Sequence, residues 1–367
     1  MKKIKILSMP VDDGGCGHYR IRQPAEMINT YTDSEMHIIN KEKDNLLALV
    51  QALAVADVIT CRQGTPIQLV KPQFENAVEK IGKEMTAKWV YDIDDNIEDI
   101  SPYNYHYKDN GVEEYYDKNQ KKWLWKDGQA GFNLNHNKEK LKQHKYNMEM
   151  ADLITVTTPI LADYAKTYNE NVAVLENLIN SKRWWRLRLK KNSVPRVGWS
   201  GGISHYEDWY SIEKPLNDLI KNNKFKLVMA GSNFPGIFKD KKRVEVHDWV
   251  PFKGHSYRMM CLALDMAIIP LADLPFNHYK SAIKLLEFSS MGIPCLVADV
   301  PPYSDMKGEI EAMYYTDEKD FYQKAQKLLD SPAMRANMGK KAMKQVKKNY
   351  NAQKRAKEWV QAYASIL

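Results

Sequence analysis

Short runs of β-branched and aromatic residues alternate with helix-patterned segments along both halves of this 367-residue chain. The alternation narrows the choice of fold sharply, because strands separated by helical crossovers run parallel and need helices over both faces of the sheet. In the first half strands are expected near Ile4–Met9, Met36–Ile39, Val58–Cys61, Lys88–Ile93, Leu153–Thr157 and Val172–Leu175. In the second half they are expected near Arg196–Trp199, Lys226–Ala230, Val244–His247, Met266–Ile269 and Cys295–Ala298. The expected fold class is therefore α/β, with two Rossmann-like domains facing across a cleft. A length prior of roughly 150 residues per domain also gives two.

The boundary is placed at a basic linker, residues 181–194, between an N-terminal domain of residues 1–180 and a C-terminal domain of residues 195–349. Six positive charges fall within the eleven residues from Ser181 to Lys191. Such a run could face a phosphate-bearing ligand, a nucleic acid or a membrane, or simply be solvated. Residues 96–137 carry no clean period and are crowded with Tyr, Trp, Lys and Asn. A stretch of that length is either a binding loop or an insertion packed by its own aromatics.

Hydrophobic residues at 44% and charged residues at 27% exclude a disordered or fibrous chain. The formal charge of +8 is compatible with an anionic ligand or partner, such as a nucleotide, a nucleic acid or an acidic membrane surface. Cys16, Cys61, Cys261 and Cys295 lie far apart without C-x-x-C spacing, so neither a zinc knuckle nor a disulfide framework is expected. A reducing compartment fits. The first apolar run is too short for a signal sequence, and no stretch reaches the roughly 18 apolar residues of a spanning helix. A cytoplasmic location is the expectation.

Residues 276–294 hold the sharpest electrostatic signal. Read as one helix, they put Lys280 and Lys284 in its first turns, where free N–H groups already supply about half a positive charge. Such an i,i+4 like-charge pair is unfavourable until an anion, for example a diphosphate, sits there. Glu287 follows on the same face and could accept hydrogen bonds from sugar hydroxyls. An exposed helix with Lys284 paired to Glu287 is the alternative.

Glycine turns follow the first strand of each half. Asp12-Asp-Gly-Gly-Cys-Gly-His-Tyr-Arg-Ile-Arg22 brings Gly15 close to a ligand, with His18, Arg20 and Arg22 able to recognise an anion or move a proton. Gly201 and Gly202 open the second half in the same way, and Ser232 ends another small-residue turn. Asp92, Asp94 and Asp95 close the fourth strand. Crowded carboxylates bind a metal, share a proton, hold hydroxyls or arginines, or cap the next segment. Trp249, at a strand end, could stack on a nucleobase or pack in the core.

Taken together, Ala151-Asp-Leu-Ile-Thr-Val-Thr-Thr-Pro159, Val197-Gly-Trp-Ser-Gly-Gly202, Ile269-Pro-Leu271 and Phe276-Asn-x-x-Lys-Ser-x-x-Lys-x-x-Glu-Phe-x-x-x-Gly-Ile-Pro294 resemble the GT-B glycosyltransferases. The resemblance is to the nucleotide-sugar-dependent group related to glycosyltransferase family 4. It implies that the second domain holds the nucleotide sugar, with a UDP-sugar as the expected co-substrate. It further implies that the first domain binds the acceptor, and that the C-terminal helix, residues 350–367, packs back on the first domain.

By position, Gly201 and Gly202 would face the donor phosphates, Ser232 would line the donor pocket, and Glu287 would hold the ribose. Gly15, Trp249, Asn277, Lys280, Ser281 and Lys284 complete the expected donor set. Asp94, Asp95 and His18 are the catalytic candidates, and Arg20, Arg22 and Asp92 the acceptor candidates. Lys280 stands where the family carries the first of two glutamates seven apart, and the usual Arg and Lys pair after Gly202 is missing, so the two lysines are expected to neutralise the diphosphate. The chemistry so implied needs no bound metal and no further cofactor. The acceptor is open among glycan, lipid, protein and modified nucleic acid. A sugar-nucleotide epimerase or hydrolase, or a non-catalytic nucleotide-binding module, remains the alternative.

Overall fold

The computed structural model describes residues 3–40, 44–184 and 192–367. Most of the basic linker, residues 185–191, therefore lies outside the described residues. The chain divides into two compact units. Unit 1 comprises Met1–Asp99, Lys108–Asn177 and Ala352–Leu367, and unit 2 comprises Ile100–Tyr107 and Leu178–Asn351. The division differs from the boundaries expected from sequence in that residues 100–107 fall in unit 2, while the C-terminal helix lies in unit 1.

Unit 1 is built on the parallel strands β1 (Lys5–Ser8), β2 (Glu35–Ile38), β3 (Val58–Arg62), β4 (Lys88–Ile93), β7 (Leu153–Val156) and β8 (Val172–Val174), in the order β2-β1-β3-β4-β7-β8. A separate antiparallel hairpin, β5 (Tyr115–Asp117) and β6 (Lys122–Trp125), lies in the segment between β4 and β7. All four residues of β7 are buried, as are the first four of β3. Such unbroken apolar runs mark central strands covered on both faces. The helix Ala352–Ala364 contributes Trp359, Val360 and Tyr363 to the core around Ile6, Val58 and Val90, which fixes it to unit 1.

Unit 2 repeats the plan with β9 (Arg196–Gly201), β10 (Lys226–Gly231), β11 (Val244–Asp248), β12 (Met266–Ile269), β13 (Cys295–Ala298) and β14 (Met313–Tyr315), ordered β11-β10-β9-β12-β13-β14 and all parallel. In both sheets the chain winds outward from the first strand and then reverses direction. The strand order thus reverses between β1 and β3 in unit 1 and between β9 and β12 in unit 2. Open α/β sheets bind ligands beyond the carboxyl ends of the strands at such a point.

Residues 96–137 are not a structureless loop. The hairpin is closed by Tyr116 against Trp123, with ring centroids 5.3 Å apart, and Phe132 is buried beside Trp125. Buried Asn137 donates to the carbonyls of Lys108 and Gly111 at 2.9 Å each. Residues 100–107 attach to unit 2, where Ser101 donates to Glu207 at 2.7 Å. Among the described residues no helix is long and apolar enough to cross a membrane, and all four cysteines are outside disulfides.

Arg20 is fully buried. Its guanidinium meets Asp92 at 2.7 Å, donates to the Leu175 carbonyl and to Asn177 Oδ1, and lies 5.0 Å over the Trp359 ring. Thr155 completes the shell by donating to Asp92 at 2.6 Å. This corrects the sequence expectation that Arg20 and Asp92 meet an acceptor, since both lie in the interior and hold each other. Arg20→Met would leave the Asp92 carboxylate buried without its ion partner and is expected to lower the unfolding free energy by about 3–5 kcal/mol. Urea denaturation checks this, and a loss below about 1 kcal/mol would deny the pair its structural role.

Candidate functional site

The carboxyl edge of the second sheet is shaped by glycines. A Cβ on Gly201 would lie 2.5 Å from the Trp199 ring and 3.1 Å from Lys284 Cε, so only a bare backbone lets the lysine stem pass. Gly231 has φ +100, and a Cβ there would stand 2.5 Å from the Gly201 carbonyl, which accepts from Ser232 N at 2.9 Å. Gly202, by contrast, faces open space.

The lysines do not sit as the sequence suggested. Pro275–His278 forms its own short helix, closed where the Asn277 carbonyl accepts from Lys280 N at 3.2 Å. A new helix, Ile283–Ser290, then starts after Ala282. Lys280 therefore precedes the helix and is no i,i+4 helical partner of Lys284. Its ammonium lies 4.3 Å over the Phe276 ring. Lys284 is the second residue of the helix, in the turn whose N–H groups lack helical partners.

Lys284 Nζ stands 2.9 Å from His205 Nε2, and His205 Nδ1 stands 2.6 Å from Asp208 Oδ2. The other oxygen of Asp208 accepts from Ala272 N and from Asn277 Nδ2, each at 2.9 Å. The partners assign the tautomer, since a lysine ammonium only donates and a carboxylate only accepts, leaving His205 to carry its proton on Nδ1. Burial and the Lys284 charge push the His205 pKa down to about 4 against the pull of Asp208, so the ring is neutral at pH 7. His205 and Asp208 were not among the residues expected from sequence, although the Gly202-x-x-His205-x-x-Asp208 spacing just past a strand carried the signal.

One turn beyond Lys284, buried Glu287 lies 3.6 Å from His255 Nε2. The His255 ring meets Trp184 edge-on at 5.7 Å. Ser281 sits in the turn leading to this helix, Ser232 follows β10, and Trp249 follows β11. Trp249 is 60% exposed, which removes the core-packing reading.

In unit 1 the glycine turn is organised by Asp12. Its Oδ1 accepts from Gly14 N at 2.7 Å, and a Cβ on Gly17 would collide with its carbonyl at 2.3 Å, while Gly15 is open. Arg62, unforeseen because a single arginine at a strand end is no sequence signal, reaches Asp12 and Asp94 at 2.9 Å each. Burial raises the Asp94 pKa, but Arg62, the Cys16 hydrogen bond and Arg20 together outweigh it and hold the carboxyl below its usual range. The charge of Asp94 pushes the Cys16 thiol up. Arg22 is exposed and holds the Val11 carbonyl and Asp13, His18 is buried beside Tyr19, and Asp95 is half-buried just past β4. Asp92 and Asp94 turn to different arginines rather than converging. Among the described residues no group of three or more His, Cys, Asp and Glu could hold a metal ion.

Residues 213–361 match a family model described as "Glycosyl transferase-like". No curated protein matches the sequence. Solved structures with a similar fold include HepE from Anabaena in complex with UDP and glucose, at TM-score 0.63 and 10% identity over 99% of this chain and 100% of that one. Sucrose-phosphate synthase from Thermosynechococcus elongatus superposes at TM-score 0.61 with 13% identity over 99% of both chains. A glycosyltransferase from Rickettsia africae gives TM-score 0.61 with 11% identity, covering 100% of this chain and 99% of the other. The fold is that of the GT-B glycosyltransferases. Over residues 213–361 the chain is glycosyl transferase-like in sequence as well.

Gly201→Ala is expected to cost about 1–3 kcal/mol by overpacking against Trp199, whereas Gly202→Ala should stay within about 0.5 kcal/mol. Equal denaturation midpoints for the two would contradict the geometry. The buried histidines give a pH dependence. His144, pushed down to about 4 chiefly by burial, accompanies His205 in having a folded pKa below its ordinary 6.5. Between those values the unfolded chain binds more protons, so stability is fully present above about pH 6.5 and falls as the pH drops toward 4. Urea titrations at pH 7 and 5 read this slope, and His144→Gln should flatten it.

Proposed function

We propose that the chain transfers a sugar from a nucleoside-diphosphate donor to a separate acceptor. The observation that carries this reading is Lys284. Its ammonium stands at the start of a helix, over a glycine turn, beyond the carboxyl ends of strands where their order reverses. When the bond from the anomeric carbon to the diphosphate oxygen breaks, negative charge grows on the leaving group. Lys284, Lys280 and the helix N–H groups would stabilise that charge more in the transition state than in the bound donor.

Glu287, backed by His255, would accept from the ribose hydroxyls, and Trp249 would give the base a face to stack on. Ser232, Asn277 and Ser281 border the same edge. In unit 1 Asp94, kept ionised by Arg62, and its neighbour Asp95 would contact acceptor hydroxyls, with exposed Arg22 in the glycine turn after β1 as a further contact. HepE is solved with UDP and glucose, so a uridine diphosphate sugar is the first donor to test. The acceptor class stays open among glycan, lipid, protein and modified nucleic acid. We infer a cytoplasmic location from the four cysteines outside disulfides.

Thermal shifts with UDP, GDP, ADP and their sugars test the reading. A ligand at 100 times its Kd should stabilise the protein by about 2.7 kcal/mol, and no response to any of them would sink it. Lys284→Ala should weaken the nucleotide that binds about tenfold or more. Donor consumed without any added acceptor would favour an epimerase or hydrolase instead.

A further inference from the structure

Lysine brings a compact charge on four rotatable bonds, so a lysine that must meet a diphosphate at a fixed place has to be held. Here three contacts do the holding. The Lys284 stem crosses Gly201, whose missing side chain makes the room, and the Trp199 ring borders the same space. The ammonium then donates to His205 Nε2 at 2.9 Å. His205 is itself fixed by Asp208, and Asp208 by the backbone of Ala272 and the side chain of Asn277. The chain of hydrogen bonds thus runs from the turn after β9 to the loop after β12, the two sides of the point where the strand order reverses.

We infer that, if unit 2 holds a nucleoside diphosphate as proposed above, His205 and Asp208 are positioning residues. They keep the His205 ring neutral with its proton on Nδ1, so that Nε2 anchors Lys284 and the other ammonium N–H groups point to the phosphates. The charged groups facing the ring are Asp208 from its own turn, Lys284 from the helix Ile283–Ser290 and Lys280 from the turn before it. Trp199 from β9 meets it edge-on at 5.6 Å. Protonation of His205 would remove the acceptor and set two cations face to face. Burial and the lysines oppose that protonation throughout the neutral range.

Nitrogen-15 NMR of the His205 ring in the intact protein should show the neutral Nδ1–H tautomer at pH 7, and Lys284→Met should raise the pH at which the ring protonates. A ring protonated at pH 7, or a titration indifferent to Lys284→Met, overturns the inference. His205→Phe, which keeps volume and loses the acceptor, should weaken uridine diphosphate about tenfold in isothermal titration. His205→Gln, whose Oε1 can accept, should restore most of the loss. In the Lys284→Met background His205→Phe should change affinity less than about twofold, because its effect passes through the lysine. An equal loss in both backgrounds would mark His205 as merely structural. The NMR readouts and His205→Gln decide the matter even where His205→Phe fails to fold. If the unaltered protein binds no uridine, guanosine or adenosine diphosphate, the donor reading fails while the tautomer and its response to Lys284→Met still decide the relay.

Discussion

The buried ion pair of Arg20 and Asp92 sets the geometry of the first unit. A guanidinium with no solvent exposure is tolerable only when its donors are met, and here they reach a carboxylate, a backbone carbonyl and an amide oxygen. Those partners come from β4 and from the segment after β8, and the Trp359 ring adds the C-terminal helix. One side chain therefore ties the end of the sheet to the last helix of the chain. Because Asp92 is fixed within β4, Asp94 two residues later leaves the strand at a set position and meets Arg62 from the neighbouring strand. The interior pair thus decides where the Asp94 carboxylate stands.

The second unit meets a different constraint. A cation in the first turn of a helix opposes the local field of the N–H groups, yet Lys284 stands there. One partner at that end is a neutral imidazole. A carboxylate in its place would have opposed the charge, whereas the neutral His205 ring takes one hydrogen bond and adds no charge of its own. Lys280 meets a phenyl face, which likewise holds a cation without neutralising it.

Period and composition carried the sheets. The runs around Val58, Lys88, Leu153, Lys226, Met266 and Cys295 are strands because buried parallel strands are written as unbroken apolar segments. Met313–Tyr315 is three residues long at the sheet edge, too short to leave a period. The hairpin of residues 115–125 was hidden because its strands hold polar and aromatic residues in no alternation. The helix start was misplaced because Pro275 begins a separate turn and the break at residues 279–282 contains no glycine or proline. Arg20 was misread for a related reason. A glycine turn advertises close approach of backbone, but sequence does not say whether the next arginine points to a ligand or inward.

The two sheet edges hold their charges in opposite balance. In unit 1 the cation Arg62 is shared by two carboxylates, Asp12 and Asp94, so that edge carries surplus acceptors. Acceptors of that kind suit hydroxyl donors and discourage phosphates. In unit 2 the hydrogen-bonded chain runs from one lysine through a neutral ring to one carboxylate, which is itself occupied by Ala272 N and Asn277. The ring thereby stands between the ammonium and the Asp208 carboxylate. An ammonium held in that way attracts anions. Two sheets of the same topology thus differ in what holds the cation at the carboxyl edge, two carboxylates in unit 1 and an imidazole in unit 2.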